Sequence, residues 1–165
     1  MSEKIAVIGS NSFSGSWLCA HALEQGLDVL GLSRSAEPGR AFLPYQWQKA
    51  SGKFTFRQLD LNKHTREIAA AIDGFHPDYV VNFAAQGMVA QSWEHPTHWY
   101  QTNVVANVAL HDELRKFAWL KKYVHVSTPE VYGSTSGTIT ENAPYNPSTP
   151  YAASRAACDL HLRTF

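Results

Sequence analysis

The sequence predicts a doubly wound α/β fold built on a parallel sheet. Three observations carry that expectation. There are five short apolar runs rich in β-branched and aromatic residues, helical patterns between most of them, and a glycine-bearing loop directly after the first run. Most runs are continuously apolar rather than alternating, as strands buried on both faces of a parallel sheet are. Strands alternating with helices imply right-handed βαβ units.

The first strand is expected over Ile5–Ile8, and a helix over Ser14–Gln25 with Gly26 as its C-terminal cap. A second strand follows over Val29–Leu32, then a polar and aromatic loop over Ala36–Gly52 and a third strand over Phe54–Leu59. The next helix, Thr65–Asp73, sets Ile68, Ala69 and Ile72 at helical spacing. A fourth strand, Tyr79–Phe83, precedes the longest helical pattern, Trp99–Phe117, and the fifth strand is Tyr123–Val126. Gly133–Pro150 reads as a loop, and Phe165 is expected to interrupt a last helix.

The 165 residues suit one domain, since a chain of this length buries roughly 70% of its unfolded surface. Fourteen Lys and Arg balance fourteen Asp and Glu, which argues against a nucleic-acid surface, and the five tryptophans form no stacking platform. Cys19 and Cys158 make no disulfide framework, which suggests a reducing compartment. No apolar run approaches the roughly 20 residues of a membrane span, and the N-terminus passes straight into a strand. A soluble, cytoplasmic protein is expected. The pair His95 and His98 lacks companions for a metal site, and Pro96 is expected to break any helical placement, so no metal centre is assigned.

The first strand runs into Gly9-Ser10-Asn11-Ser12-Phe13-Ser14-Gly15 ahead of a helix. Small residues there let the backbone approach a pyrophosphate, while the helix N-terminus offers unpaired N–H groups and the positive end of its dipole. An acid about 20 residues further on would hold a ribose 2′-hydroxyl, whereas an arginine accommodates a 2′-phosphate. Arg34 lies 19 positions after Gly15, and Asp28 precedes the strand at the wrong end of the sheet. The expected cofactor is therefore NADP, with NAD second. Asp60-Leu61 could bring a carboxylate to the adenine amino group, or Asp60 could cap a helix.

With these pieces in line, the whole chain resembles the extended short-chain dehydrogenase/reductases, in particular the nucleotide-sugar epimerases and dehydratases. The resemblance rests on motifs met in order. Ile8-Gly9-Ser10-Asn11-Ser12-Phe13-Ser14-Gly15 is like T-G-x-x-G-x-x-G, and Asp60-Leu61 follows it. Then come Asn82-Phe83-Ala84-Ala85-Gln86, Ser127-Thr128-Pro129-Glu130-Val131-Tyr132-Gly133, and a Tyr-x-x-x-Lys-like segment, Tyr151-Ala152-Ala153-Ser154-Arg155. Gly31-Leu32-Ser33-Arg34 with Ala85-Gln86 looks like GDP-mannose 4,6-dehydratases, and Gln101-Thr102-Asn103-Val104 like dTDP-glucose 4,6-dehydratases.

The resemblance implies a Rossmann domain, a nucleotide-sugar substrate and a homodimer or higher homo-oligomer. It also implies a cofactor held by Gly9, Asn11, Ser12, Phe13, Gly15, Arg34, Asp60, Leu61, Ala84, Ala85, Gln86, Tyr151 and Arg155. Tyrosine is a poor base at its free pKa of about 10, and a neighbouring cation favours the phenolate. Tyr151 and Arg155 have the one-turn spacing that puts both on one helix face. Thr128 would bond the same sugar hydroxyl, and Glu130 would take the C5 proton once C4 is oxidised. Two departures stand out. Arg155 replaces the usual lysine, an exchange that is not conservative, and Pro129 replaces the acid of Thr-Asp-Glu. Glu130 favours a dehydratase; an epimerase, a decarboxylase or a catalytically silent NAD(P)-binding protein are the alternatives. Family members also carry a C-terminal substrate-binding part, so residues 1–165 are expected to be the N-terminal cofactor half.

Overall fold

The computed structural model describes residues 2–47 and 51–165, so residues 48–50 of the expected 36–52 loop lie outside the described residues. The chain forms two compact units. Met1–Ala84 joins Asp112–Val126 in the first, and Ala85–His111 joins Ser127–Phe165 in the second.

The first unit holds a five-stranded sheet of β1 (Lys4–Ile8), β2 (Asp28–Ser33), β3 (Phe54–Gln58), β4 (Tyr79–Asn82) and β5 (Lys122–His125). The order is β3-β2-β1-β4-β5 and every pairing is parallel. All five strands stand where the apolar runs place them, each within a residue or so of its expected bounds. Helix α1 (Phe13–Glu24) links β1 to β2, and α2 (Thr65–Phe75) links β3 to β4. The strand order reverses at β1, so right-handed crossovers set α1 and α2 on opposite faces.

Strand alternation explains the packing. Ile5, Val7 and Val29 turn to the α1 face, where they cluster with Cys19, Ala20, Ala22, Leu23, Leu43 and Tyr45. The Tyr45 ring stacks on Phe54 at 4.2 Å between centroids. Ala6, Ile8, Leu30 and Leu32 occupy the alternate positions and are equally buried. On α2, buried Ile68, Ala69, Ala71 and Ile72 form one stripe. Burial pushes the Cys19 thiol up to about 12, leaving it an inert packing group.

The expected helix Trp99–Phe117 starts earlier, in the second unit, changes pitch, and ends at Leu114, within the stretch Asp112–Val126 that belongs to the first. Pro96 opens α3 (Pro96–Tyr100) at its first position, where a missing N–H costs nothing, so this proline begins a helix rather than breaking one. Residues Gln101–Ala106 then widen into a π-helical turn before α4 (Asn107–Leu114). Helix α5 (Pro150–Leu162) closes with Arg163 as its C-cap, so the helix ends before Phe165 instead of being interrupted by it. Among the described residues, no helix is long and apolar enough to cross a membrane.

Candidate functional site

The glycine loop leaves β1 where the strand order reverses, the position at which open parallel sheets leave a crevice at their carboxyl ends. Gly9 has φ +85°, and a Cβ there would meet the Ala84 nitrogen at 3.0 Å. At Gly15 a Cβ would lie 2.2 Å from the Gly9 carbonyl oxygen. Both positions exclude a side chain. Ser12 is extended (φ −73°, ψ 161°), which any residue adopts, and it caps α1. Its Oγ accepts from the Gly15 N–H at 3.1 Å and donates to the Gly9 carbonyl at 2.7 Å. The hydroxyl is thus turned back into the loop. The first turn of α1 has no acidic side chain to neutralise its positive end, and its leading N–H groups precede any helical carbonyl. This cradle suits a polyphosphate. Phe13 is 83% exposed, so its contribution there is its backbone.

Beside the loop, Asn11 donates its backbone N–H to Ser33 Oγ and its side-chain amide to the Ser35 and Ala36 carbonyls, each at 3.0 Å. On the other side, Gln58 donates to the Arg34 carbonyl at 3.1 Å. Arg34 itself is exposed. The next acid, Glu37, accepts from the Tyr45 hydroxyl at 2.8 Å and from the Gln46 amide at 3.3 Å. Burial, then Glu37, pushes the Tyr45 hydroxyl far above the usual tyrosine range. Asp28 is the first residue of β2 rather than a residue before it, but it still stands at the opposite end and accepts from the Lys53 N–H. Asp60 caps a local turn by accepting from the Asn62 N–H, and its own N–H donates to His64 Nδ1. It does not cap α2, whose N-cap position is His64. Leu61 is buried, and the Ala84 N–H donates to Asn82 Oδ1.

In the second unit, Thr149 caps α5 by accepting from the Ala152 N–H at 3.0 Å. Tyr151 follows in the first turn, half-buried, and Arg155 one turn later is 2% exposed. The Tyr151 backbone is held on both sides. Its N–H donates to Ser92 Oγ at 3.2 Å, and its carbonyl accepts from Ser154 Oγ at 2.7 Å. Asn103 joins Ser154 to Gln86. Its Nδ2 donates to Ser154 Oγ at 2.9 Å and to the Gln86 carbonyl at 3.1 Å, while its Oδ1 accepts from the Gln86 N–H at 2.8 Å. Sequence reasoning did not single out Ser92, Asn103 or Ser154 as site residues. The available signal was polar Asn103 and Asn107 inside an apolar helical run. Asn107 donates to the Thr102 carbonyl in the π-helical turn, a device frequent at functional sites.

Thr128 caps the 3₁₀ turn Pro129–Tyr132, its Oγ1 accepting from the Glu130 N–H at 3.4 Å. Its hydroxyl proton stays available to donate. Glu130 is exposed, and Pro129 occupies the first position of the turn. The segment is tied to α5 by Ser127, which donates to Asp159, a carboxylate that also accepts from the Tyr145 hydroxyl at 3.3 Å. Arg163 donates to that same tyrosine at 3.1 Å. Elsewhere in this unit the His111 and His161 rings stack at 5.8 Å. Burial, with His161 second, pulls the His111 imidazole down to about 4. Cys158 is buried, its thiol pushed up to about 11.

A family model described as GDP-mannose 4,6 dehydratase matches residues 7–165. A dTDP-glucose 4,6-dehydratase of Xanthomonas campestris pv. campestris is 43% identical over 100 residues, covering 54% of this chain and 28% of that protein. One from Neisseria meningitidis serogroup B is 31% identical over 177 residues, covering 99% of this chain and 49% of its own. Among solved structures, the UDP-glucose 4-epimerase of Thermus thermophilus in complex with NAD superimposes with a TM-score of 0.83. It is 28% identical, over 98% of this chain and 50% of its own. The chain thus spans about half the length, or less, of the relatives it matches.

Proposed function

The chain belongs to the extended short-chain dehydrogenase/reductase family of nucleotide-sugar epimerases and dehydratases, and we propose that it is the cofactor-binding half of an NADP-dependent nucleotide-sugar 4,6-dehydratase. The observation that carries this reading is the pairing of two built segments. One is the α5 turn with Tyr151 and Arg155, and the other is the Thr128-capped turn with Glu130.

The Gly9–Gly15 loop would hold the cofactor's diphosphate, and Arg34, with no competing acid at the end of β2, its 2′-phosphate. When bound, the nicotinamide supplies the chemistry of taking a hydride from the sugar C4 and giving one back. The remaining steps fall to side chains. Tyr151 removes the C4 hydroxyl proton, and Arg155, one turn further along α5, presents a cation to the same helix face. Thr128 donates to the same oxygen and orients it. Oxidation at C4 acidifies C5, and Glu130 removes the C5 proton as water leaves from C6. Pro129 has no proton to give, so the proton that departs with the C6 hydroxyl comes from Glu130, returning what it took, or from solvent.

Arg155 and Pro129 together support a second reading, a protein that binds the dinucleotide without turnover. One assay separates the two. The full-length protein is incubated with NADP and a panel of dTDP-, GDP-, UDP- and CDP-sugars. The dehydratase reading expects a 4-keto product from at least one of them, formed faster by Arg155→Lys. Cofactor binding with no turnover, unrescued by that substitution, would establish the silent protein instead.

A further inference from the structure

We infer that Asn11 and Gln58 are positioning residues that set cofactor choice, holding the backbone on either side of Arg34 and linking it to the glycine loop. The inference rests on the NADP reading above and deepens it.

Loop carbonyls after a strand are ordinarily left to water. From Ser33, the last residue of β2, through Ala36 four in succession are held by the protein, three of them beyond the strand. The Ser33 carbonyl accepts from the Leu59 N–H at 2.8 Å, and the Arg34 carbonyl from Gln58 Nε2 at 3.1 Å. Those of Ser35 and Ala36 both accept from Asn11 Nδ2 at 3.0 Å. The side-chain donors come from outside the segment, Gln58 at the end of β3 and Asn11 within the glycine loop. Asn11 also fixes Ser33 through its backbone N–H. One residue thus joins the turn that would cradle a diphosphate to the turn that presents a guanidinium.

The physical consequence is entropic. Arg34 has a long, exposed side chain, and capturing a phosphate means ordering it. If its backbone were loose, binding would have to order that as well, and the cost would fall only on the ligand that engages the guanidinium. NADP carries a 2′-phosphomonoester for Arg34 and NAD carries a hydroxyl. Releasing the two amide braces should therefore weaken NADP selectively. A residue that merely supported the fold would weaken both dinucleotides together.

The test is calorimetric titration of the purified protein with NADP and with NAD, for the wild type, Arg34→Ala, Asn11→Ala, Asn11→Asp and Gln58→Ala. Gln58→Ala alters no residue of the glycine loop and adds no charge, so it reports on the braces even if the Asn11 variants fold poorly. The wild type is expected to prefer NADP. Gln58→Ala should lose about tenfold in NADP affinity with NAD affinity held within about twofold, and the Asn11 variants, which also alter the glycine loop, should lose about tenfold more for NADP than for NAD. Adding Gln58→Ala to Arg34→Ala should cost NADP nothing further, because the brace acts through Arg34. A wild type without preference for NADP overturns both the NADP reading and this inference. If preference is present and lost in Arg34→Ala but intact in the brace variants, or if their effects add to that of Arg34→Ala, the inference alone falls.

Discussion

Gly15 carries a requirement that no other residue type meets. A Cβ there would sit 2.2 Å from the Gly9 carbonyl oxygen and 2.8 Å from Ser12 Oγ, so Gly15→Ala must push the start of α1 off the loop. We expect a loss of about 2 kcal/mol in urea unfolding and at least a tenfold weakening of dinucleotide binding by titration. His111 makes a second residue-scale prediction. Its folded value of about 4 lies below the unfolded value of about 6.5, so the unfolded chain takes up a proton first as pH falls. The stability from keeping this imidazole neutral is complete above pH 6.5 and drains away down to about pH 4. Tm should drop by a few degrees over that window, and His111→Gln should flatten the slope there; an unchanged slope would exclude His111 as its source.

At the scale of elements, the π-helical turn is the informative case. The apolar spacing from Trp99 to Leu114 reads as one helix, and periodicity has no way to register one residue more per turn. What the sequence does hold is the polar residue the turn serves. Asn103 uses two donors and one acceptor on Gln86 and Ser154, so Asn103→Ala breaks three hydrogen bonds to these two residues in and near the interior. We expect a loss of about 3 kcal/mol in thermal or urea unfolding and faster amide exchange at Gln86; a loss below about 1 kcal/mol would show that water replaces the side chain. The strands, by contrast, were legible because burial on both faces demands continuous apolar runs. The tight turn of the glycine loop was legible as well, because its backbone conformation demands glycine at Gly9 and Gly15. Ser92, Ser154 and the Asn11 and Gln58 braces were not, since each acts on a backbone atom whose place only the folded chain reveals.

For the whole molecule, the chain covers about half of the dehydratase from Neisseria meningitidis, and the residues proposed for cofactor binding and for catalysis fall in two units. Gly9, Asn11, Ser12, Phe13, Gly15 and Arg34 stand in the first, and Thr128, Glu130, Tyr151 and Arg155 in the second. The proposed chemistry asks the first group for a cofactor and the second for two proton transfers, one from the C4 hydroxyl and one from C5. A dehydratase moves the C4 hydrogen to C6, whereas an epimerase returns it to C4, so the fate of that one atom decides the matter. The direct measurement supplies dTDP-glucose or GDP-mannose deuterated at C4 to the NADP-loaded full-length protein and follows the label by NMR. Deuterium in the C6 methyl group of a 4-keto product is the expected result. Deuterium retained at C4 of an epimer, or cofactor bound with the sugar unchanged, would contradict it.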